Sequence, residues 1–350
     1  MKKILLGMSG GVDSSVSAII LQKQGYEVIG CTMVLLENKE NSSQMISDAK
    51  KVCQKLGIVH HVVDFSKDFK EIVIKDFINE YINGRTPNPC IICNKYLKFG
   101  LLYNKAQELG CEYIATGHYA RIKYSEKYNQ NVLAKSNEEK KDQTYFLYNI
   151  KKEQLNKIIF PLQEYNNKQE IRKIAEENNL EVAQKKDSQE ICFIKDNDYK
   201  KFLTENMEEK LLEGKIILET GEVLGNHTGL INYTIGQRKG LGIAYKEPLY
   251  VVSLDKEKNV VVVGLEKDLY SCKLELKNVN WMVDNIFEDK LECFAKIRYR
   301  SKEAEAIVCK ENGKIVVTFK EEQRAITIGQ SVVFYDNEGN VLGGGIIFKI

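Results

Sequence analysis

"GMSGGVDSS", residues 7–15, lies in the stretch "KKILLGMS…", which reads as a short buried strand running into a glycine turn. A helical pattern follows from Ser14 to Gln24, and Gly25 stops it. A strand, a glycine turn and a helix N-terminus together present backbone N–H groups and a helix dipole to phosphate oxygens. Gly10 and Gly11 let the backbone approach such oxygens closely and take positive φ. Ser9, Ser14 and Ser15 add hydroxyl donors, and Asp13 can orient a metal ion or a serine. No Gly-Lys-Ser/Thr follows, so this is not the P-loop, nor is it the dinucleotide fingerprint. A double glycine alone is equally an ordinary strand-to-helix turn.

Outward from this loop the pattern repeats. "YEVIGCTMVL" and "IVHHVVDF" read as strands, and "SQMISDAKKVCQKLG" between them as a helix ending at Gly57. "KDFKEIVIKDFINEYING" and "KYLKFGLLYNKAQELG" read as helices, and "CEYIATGH" as a strand. Such alternation predicts a parallel α/β sheet with helices on both faces, its ligand site at the carboxyl ends of the strands. After about residue 200 a glycine-rich stretch appears, and from about Leu249 short alternating strands suggest a small β-barrel or sandwich. The expected division is an α/β domain over 1–200, a small glycine-rich module over 201–268 and a C-terminal β-barrel over 269–350. No internal repeat is present.

The 350 residues are too many for one ordinary core. A composition of 43% hydrophobic and 29% charged residues is that of a globular protein, and a net charge of +2 excludes one that is basic all over. Any nucleic-acid partner must therefore meet local basic patches. Neither a secretory signal nor an apolar run long enough for a bilayer is visible, so no membrane partner is expected. Nine cysteines without a framework pattern suggest free thiols in a reducing compartment, hence a cytoplasmic protein.

"RTPNPCIICNK", residues 85–95, sets two cysteines three apart. Asn88 suits an N-cap and Pro89 the first helical position, which puts Cys90 and Cys93 on one helix face. The dipole there is expected to lower the thiol pKa values. The pair also reads as buried apolar cysteines or half a zinc site, although a second close pair is absent. Cys192 in "KKDSQEICFI", residues 185–194, taken alone reads as one more apolar position.

The string S-G-G-V-D-S-S resembles the PP-loop of N-type ATP pyrophosphatases. That resemblance implies ATP, with Mg²⁺, held by Gly7, Met8, Ser9, Gly10, Gly11, Val12, Asp13 and Ser14. Met33 and Gly117 would lie by the adenosine. Over nearly the whole chain the sequence resembles the tRNA-specific 2-thiouridylase family, carried by "GMSGGVDSS", "GRTPNPCIICNK", "ATGHYAR", "KDQTYFL", "KKDSQEICFI", "YTIGQRKGLGI", "KIRYRS" and "GQSVVFYD…LGGGII".

The family resemblance implies ATP-dependent 2-thiolation of the wobble uridine of tRNA. Cys93 would be catalytic, Cys192 would carry persulfide sulfur, and Asp13 joins them as a catalytic candidate. The partners implied are the tRNA anticodon stem-loop and a persulfide-carrying sulfur donor protein. Candidate tRNA contacts are Asn88, Pro89, Cys90, His118, Lys141, Asp142, Gln143, Arg298, Tyr299 and Gln330. On a strand, Arg298 and Arg300 would share one face. Cys90 stands where many members have aspartate. With Cys93 and Cys192 it makes a candidate ligand set for a 4Fe–4S cluster, and a cluster-free persulfide route is the alternative. Ile328 replaces a proline usual in the family. The rival reading is another ATP pyrophosphatase that adenylates a small carboxylate or amide, which leaves the cysteines without a purpose.

Overall fold

The computed structural model describes residues 1–36, 39–185, 191–208 and 210–350, with the side chains of 39–42 and 195 outside the description. Five residues of the Cys192 string, 186–190, therefore lie outside the described residues.

Strand β1 (Lys3–Gly7) carries Ile4, Leu5 and Leu6 at 0% exposure, so both of its faces are covered. That is why its sequence is a continuous apolar run without alternation. It pairs in parallel with β2 (Glu27–Val34) on one side and β4 (Tyr113–Ala115) on the other. β3 (Val59–Asp64) adds outside β2, and the two-residue strand Ile158–Ile159 outside β4. The chain thus builds the sheet outward from β1 to β3, then crosses back to the other side of β1. That reversal makes the carboxyl end of β1 the topological switch point, where a crevice opens. The loop 8–11 occupies it.

Helix α1 (Val12–Lys23) buries Val12 and every residue from Ser14 to Leu21. It is sandwiched, with Ile171 and Ala175 of the helix Lys168–Glu177 in the same apolar cluster. The two long helical patterns after β3 are continuous but not uniform. Lys70–Ile74 and Asn94–Leu101 are π-wound turns inside them, a feature that sequence periodicity does not report.

Gly214–Leu218, Val223–His227, Tyr250–Asp255 and Val260–Gly264 form a separate four-stranded sheet. The alternating strands that begin at Leu249 are thus shared between this sheet and the next unit. The last six strands close a barrel in the order Tyr270–Trp281, Lys314–Arg324, Ala304–Glu311, Lys290–Lys296, Ser331–Tyr335, Val341–Lys349. Closure leaves no open edge. The expectation of Arg298 and Arg300 on a strand face is corrected: the strand ends at Lys296, and both arginines belong to the turn after it.

Candidate active site

The loop after β1 is shaped by two close approaches. Gly10 has φ +64°, and a Cβ there would come within 2.7 Å of the Met45 carbonyl oxygen. Gly117, just past β4, lies so near that its Cβ would sit 3.0 Å from the Ser14 nitrogen. The serine hydroxyls point inward in this state. Ser15 Oγ donates to the Gly11 carbonyl at 2.8 Å, and Ser14 Oγ accepts from the Ser9 N–H at 3.2 Å. Met33 closes the carboxyl end of β2, half-buried.

Three residues that the sequence reading passed over complete the loop. Lys168 Nζ lies 2.5 Å from Asp13 Oδ1, and the Tyr119 hydroxyl donates to the same oxygen at 2.7 Å. Lys185 Nζ donates to the Gly10 carbonyl at 3.1 Å and to Asp48 at 2.9 Å. Asp13 is therefore engaged by a cation and a phenol, and two ammonium groups border the loop. Tyr119 and Lys185 sit inside strings already singled out, whereas Lys168, 155 residues from Asp13, has no local signal.

Asn88 caps the next helix by accepting the Cys90 N–H at 3.2 Å, with Pro89 as its first residue. Cys93 is 8% exposed, while Cys90 and Cys192 reach the surface. All nine cysteines are free thiols. The expected lowering of the thiol pKa values is corrected. Packing around the sulfur atoms raises Cys93, and also Cys90 and Cys192 although both keep exposed surface, above the ordinary thiol value. Cys93 and then Cys90 add to the shift of Cys192, so the three thiols share one electrostatic neighbourhood. Desolvation of a thiolate outweighs a helix-end dipole here. Lys98, on the same helix, opposes the shift at all three. Among the described residues no group of three or more His, Cys, Asp or Glu is placed to hold a metal ion. The described residues thus give the cluster reading no support.

His118 is interior, with its ring between two partners. Nδ1 lies 2.7 Å from Thr116 Oγ1, and Nε2 lies 3.3 Å from Lys98 Nζ. An ammonium only donates, so Nε2 accepts and the ring proton sits on Nδ1. Burial, reinforced by Lys98, holds the imidazole well below its usual pKa and therefore neutral.

Several other residues read as surface contacts are engaged internally. Asp142 accepts from the Ser136 N–H at 2.9 Å and from Thr144 Oγ1 at 2.6 Å. Gln143 Oε1 accepts the Tyr119 N–H at 2.9 Å. Arg298 is half-buried and donates to Thr327 Oγ1 at 2.5 Å and to the Ala325 carbonyl. Gln330 Nε2 donates to the Thr86 carbonyl at 2.8 Å. Tyr299 packs on Phe146 with ring centroids 4.4 Å apart, and Lys141 is half-buried. Arg238, Lys239, Arg300 and Lys302 are the exposed cations of the basic strings.

Residues 2–196 match a family model described as the tRNA methyl transferase HUP domain. Residues 200–265 match the tRNA methyl transferase PRC-barrel domain, and residues 271–347 the aminomethyltransferase beta-barrel domain. The tRNA-specific 2-thiouridylase MnmA of Acetivibrio thermocellus is 48% identical over 357 residues, covering 99% of both chains. MnmA 1 of Clostridium tetani is 49% identical over 356 residues, covering 100% of this chain and 97% of its own. Identity near one half over essentially the whole length of both chains places this chain within the tRNA-specific 2-thiouridylase family.

Proposed function

We propose that the chain catalyses ATP-dependent 2-thiolation of the wobble uridine of tRNA, with Cys93 and Cys192 as the sulfur-handling thiols. One contiguity carries this reading: Gly117 abuts the loop at Ser14, and the next residue, His118, holds Lys98, which faces the three thiols. A short relay of contacts thus links the loop proposed to hold the nucleotide with the lysine beside the thiols.

In this mechanism the loop N–H groups and the flanking Lys168 and Lys185 receive the triphosphate. Mg²⁺ would neutralise phosphate charge. The uridine O2 attacks the α-phosphorus and pyrophosphate leaves, which turns a poor leaving group into a good one. The outer sulfur of a Cys192 persulfide then bonds to C2, AMP departs, and the Cys93 thiolate attacks Cys192 Sγ, displacing the C2-bound sulfur as the 2-thiouridine. The electron balance leaves a Cys93–Cys192 disulfide, which a thiol reductant restores. A persulfide-carrying donor protein would reload Cys192, and free thiols suit the reducing cytoplasm. Arg238, Lys239, Arg300 and Lys302, with Tyr299, are the groups proposed to face the tRNA. The cluster-free route is preferred because its sulfur and electrons balance with the two thiols, the donor and a thiol reductant alone.

Nucleoside mass spectrometry of tRNA from a strain lacking its own thiouridylase tests the reading. The wild-type chain is expected to restore 2-thiouridine. Cys93→Ser is expected to abolish it while tRNA-dependent pyrophosphate release persists. A methylated uridine in its place would favour the methyl-transfer chemistry in the family descriptions, and unchanged thiolation by Cys93→Ser would overturn the assignment. Iron in anaerobically purified, active protein, lost together with activity, would favour the cluster.

A further inference from the structure

The segment that leads into the Cys93 helix is gripped by the barrel, through Gln330, 244 residues beyond Thr86 in sequence. The Thr86 N–H donates to the Ile328 carbonyl at 2.9 Å. Gln330 Nε2 reaches the Thr86 carbonyl at 2.8 Å and the Pro87 carbonyl at 3.4 Å. A Cβ at Gly329 would lie 2.9 Å from the Thr86 nitrogen, so the two backbones are in direct contact. Both partners of the Gln330 side chain are carbonyls, which fixes the amide with nitrogen inward.

The gripping loop is itself anchored. The Gly329 N–H donates to the Ile347 carbonyl at 3.0 Å, and the Ile347 N–H to the Gln330 carbonyl at 2.8 Å. Arg298 holds Ala325 and Thr327 from the neighbouring turn. Ala325, 1% exposed, sits at φ +54°, a conformation that costs an alanine energy and persists only where its surroundings impose it.

We propose that Gln330 is a positioning residue for the Cys93 thiol: by tying Thr86 and Pro87 to the loop that enters the barrel strand Ser331–Tyr335, it sets where the cysteine helix begins. Cys93 lies four residues beyond Pro89, about 6 Å along the axis, so a shift of the helix start moves the thiol with it. The proposal rests on the thiolation reading only for its consequence in turnover. It assigns to Gln330 an internal task in place of a direct tRNA contact.

The test uses the full chain, a tRNA transcript with a wobble uridine, ATP, a cysteine desulfurase with free cysteine as the persulfide source, and a thiol reductant. Gln330→Ala is expected to lower thiolation kcat about tenfold, since small misplacements of reacting groups are costly, with the KM for tRNA within about twofold. Independently of activity, iodoacetamide labelling of Cys93, mapped by mass spectrometry, should change about threefold while exposed Cys272 does not. Gln330→Glu, which sets an acceptor against two carbonyls, should reproduce both effects, and it serves if the alanine variant does not fold. A raised KM with unchanged kcat and unchanged Cys93 labelling would overturn the proposal in favour of a tRNA contact. An inactive wild-type chain would count against the thiolation reading alone, because labelling and tRNA binding still decide the role of Gln330.

Discussion

A thiol with a pKa near 12 is almost wholly protonated in a neutral cell, yet thiolate is the form that attacks and accepts sulfur. Cys192 is in that position. Its folded pKa is raised, so the reactive form keeps growing with pH beyond the ordinary thiol range. The iodoacetamide rate of Cys192 is therefore expected to be still climbing at about pH 10, where an ordinary thiol levels off. A plateau by pH 9 would show that burial does not control the thiol. Lys98→Met should slow the labelling further, because Lys98 favours the thiolate at each of the three cysteines. The sequence pointed to these cysteines through their motifs, but it placed their pKa shift on the wrong side. Helix position is local and legible, whereas the desolvation that outweighs it comes from chain segments a hundred residues apart.

At the scale of the element, the loop between β1 and α1 is a backbone device whose shape depends on α2 (Lys39–Leu56) packing against it. Gly10→Ala puts a Cβ within 2.7 Å of the Met45 carbonyl, at a φ that costs an alanine about 1 kcal/mol even in free space. The expected result is a loss of at least about tenfold in affinity for ATP with Mg²⁺, the backbone N–H groups no longer converging on the phosphates. Calorimetric titration reads it, with far-UV circular dichroism unchanged. Affinity within about twofold of wild type would remove the loop from nucleotide binding. This element was almost fully readable, since strand, glycine turn and helix are contiguous in the chain. Its cations were not: Lys168 and Lys185 arrive from another helix and a distant segment, and no spacing rule connects them to Asp13 or Gly10. The π-wound turns in the two long helices escaped because the i→i+5 hydrogen bonds that define them leave no residue-type signature in the sequence.

The whole molecule is organised around a shared interior between its first and last units. One apolar cluster contains Leu5, Ile114, Tyr145 and Tyr148 from the α/β unit and Met282, Val333, Tyr335 and Val341 from the barrel. Polar contacts cross the same boundary. The Tyr145 hydroxyl donates to the Ser331 carbonyl at 2.8 Å, and Asn280 Nδ2 donates to the Tyr148 carbonyl at 2.8 Å. The sequence announced a β unit after an α/β unit, and such a boundary ordinarily suggests separable domains with a polar interface. Here "KDQTYFL", read from sequence as a tRNA-facing loop, instead supplies the aromatic residues of the junction. A chain ending at residue 268 would leave Tyr145 and Tyr148, both at 0% exposure in the full chain, uncovered, and the Thr144 hydroxyl without Tyr335. Each large apolar side chain so exposed forfeits about 1.5–3 kcal/mol, and several together consume most of the roughly 5–15 kcal/mol that holds a domain folded. The truncated protein is expected to aggregate on expression, and the full chain to show one calorimetric transition covering both units. A monomeric 1–268 fragment with a cooperative transition and undiminished ATP binding would show instead that the barrel is an accessory, and that the interior it shares with the sheet contributes little to holding the active site.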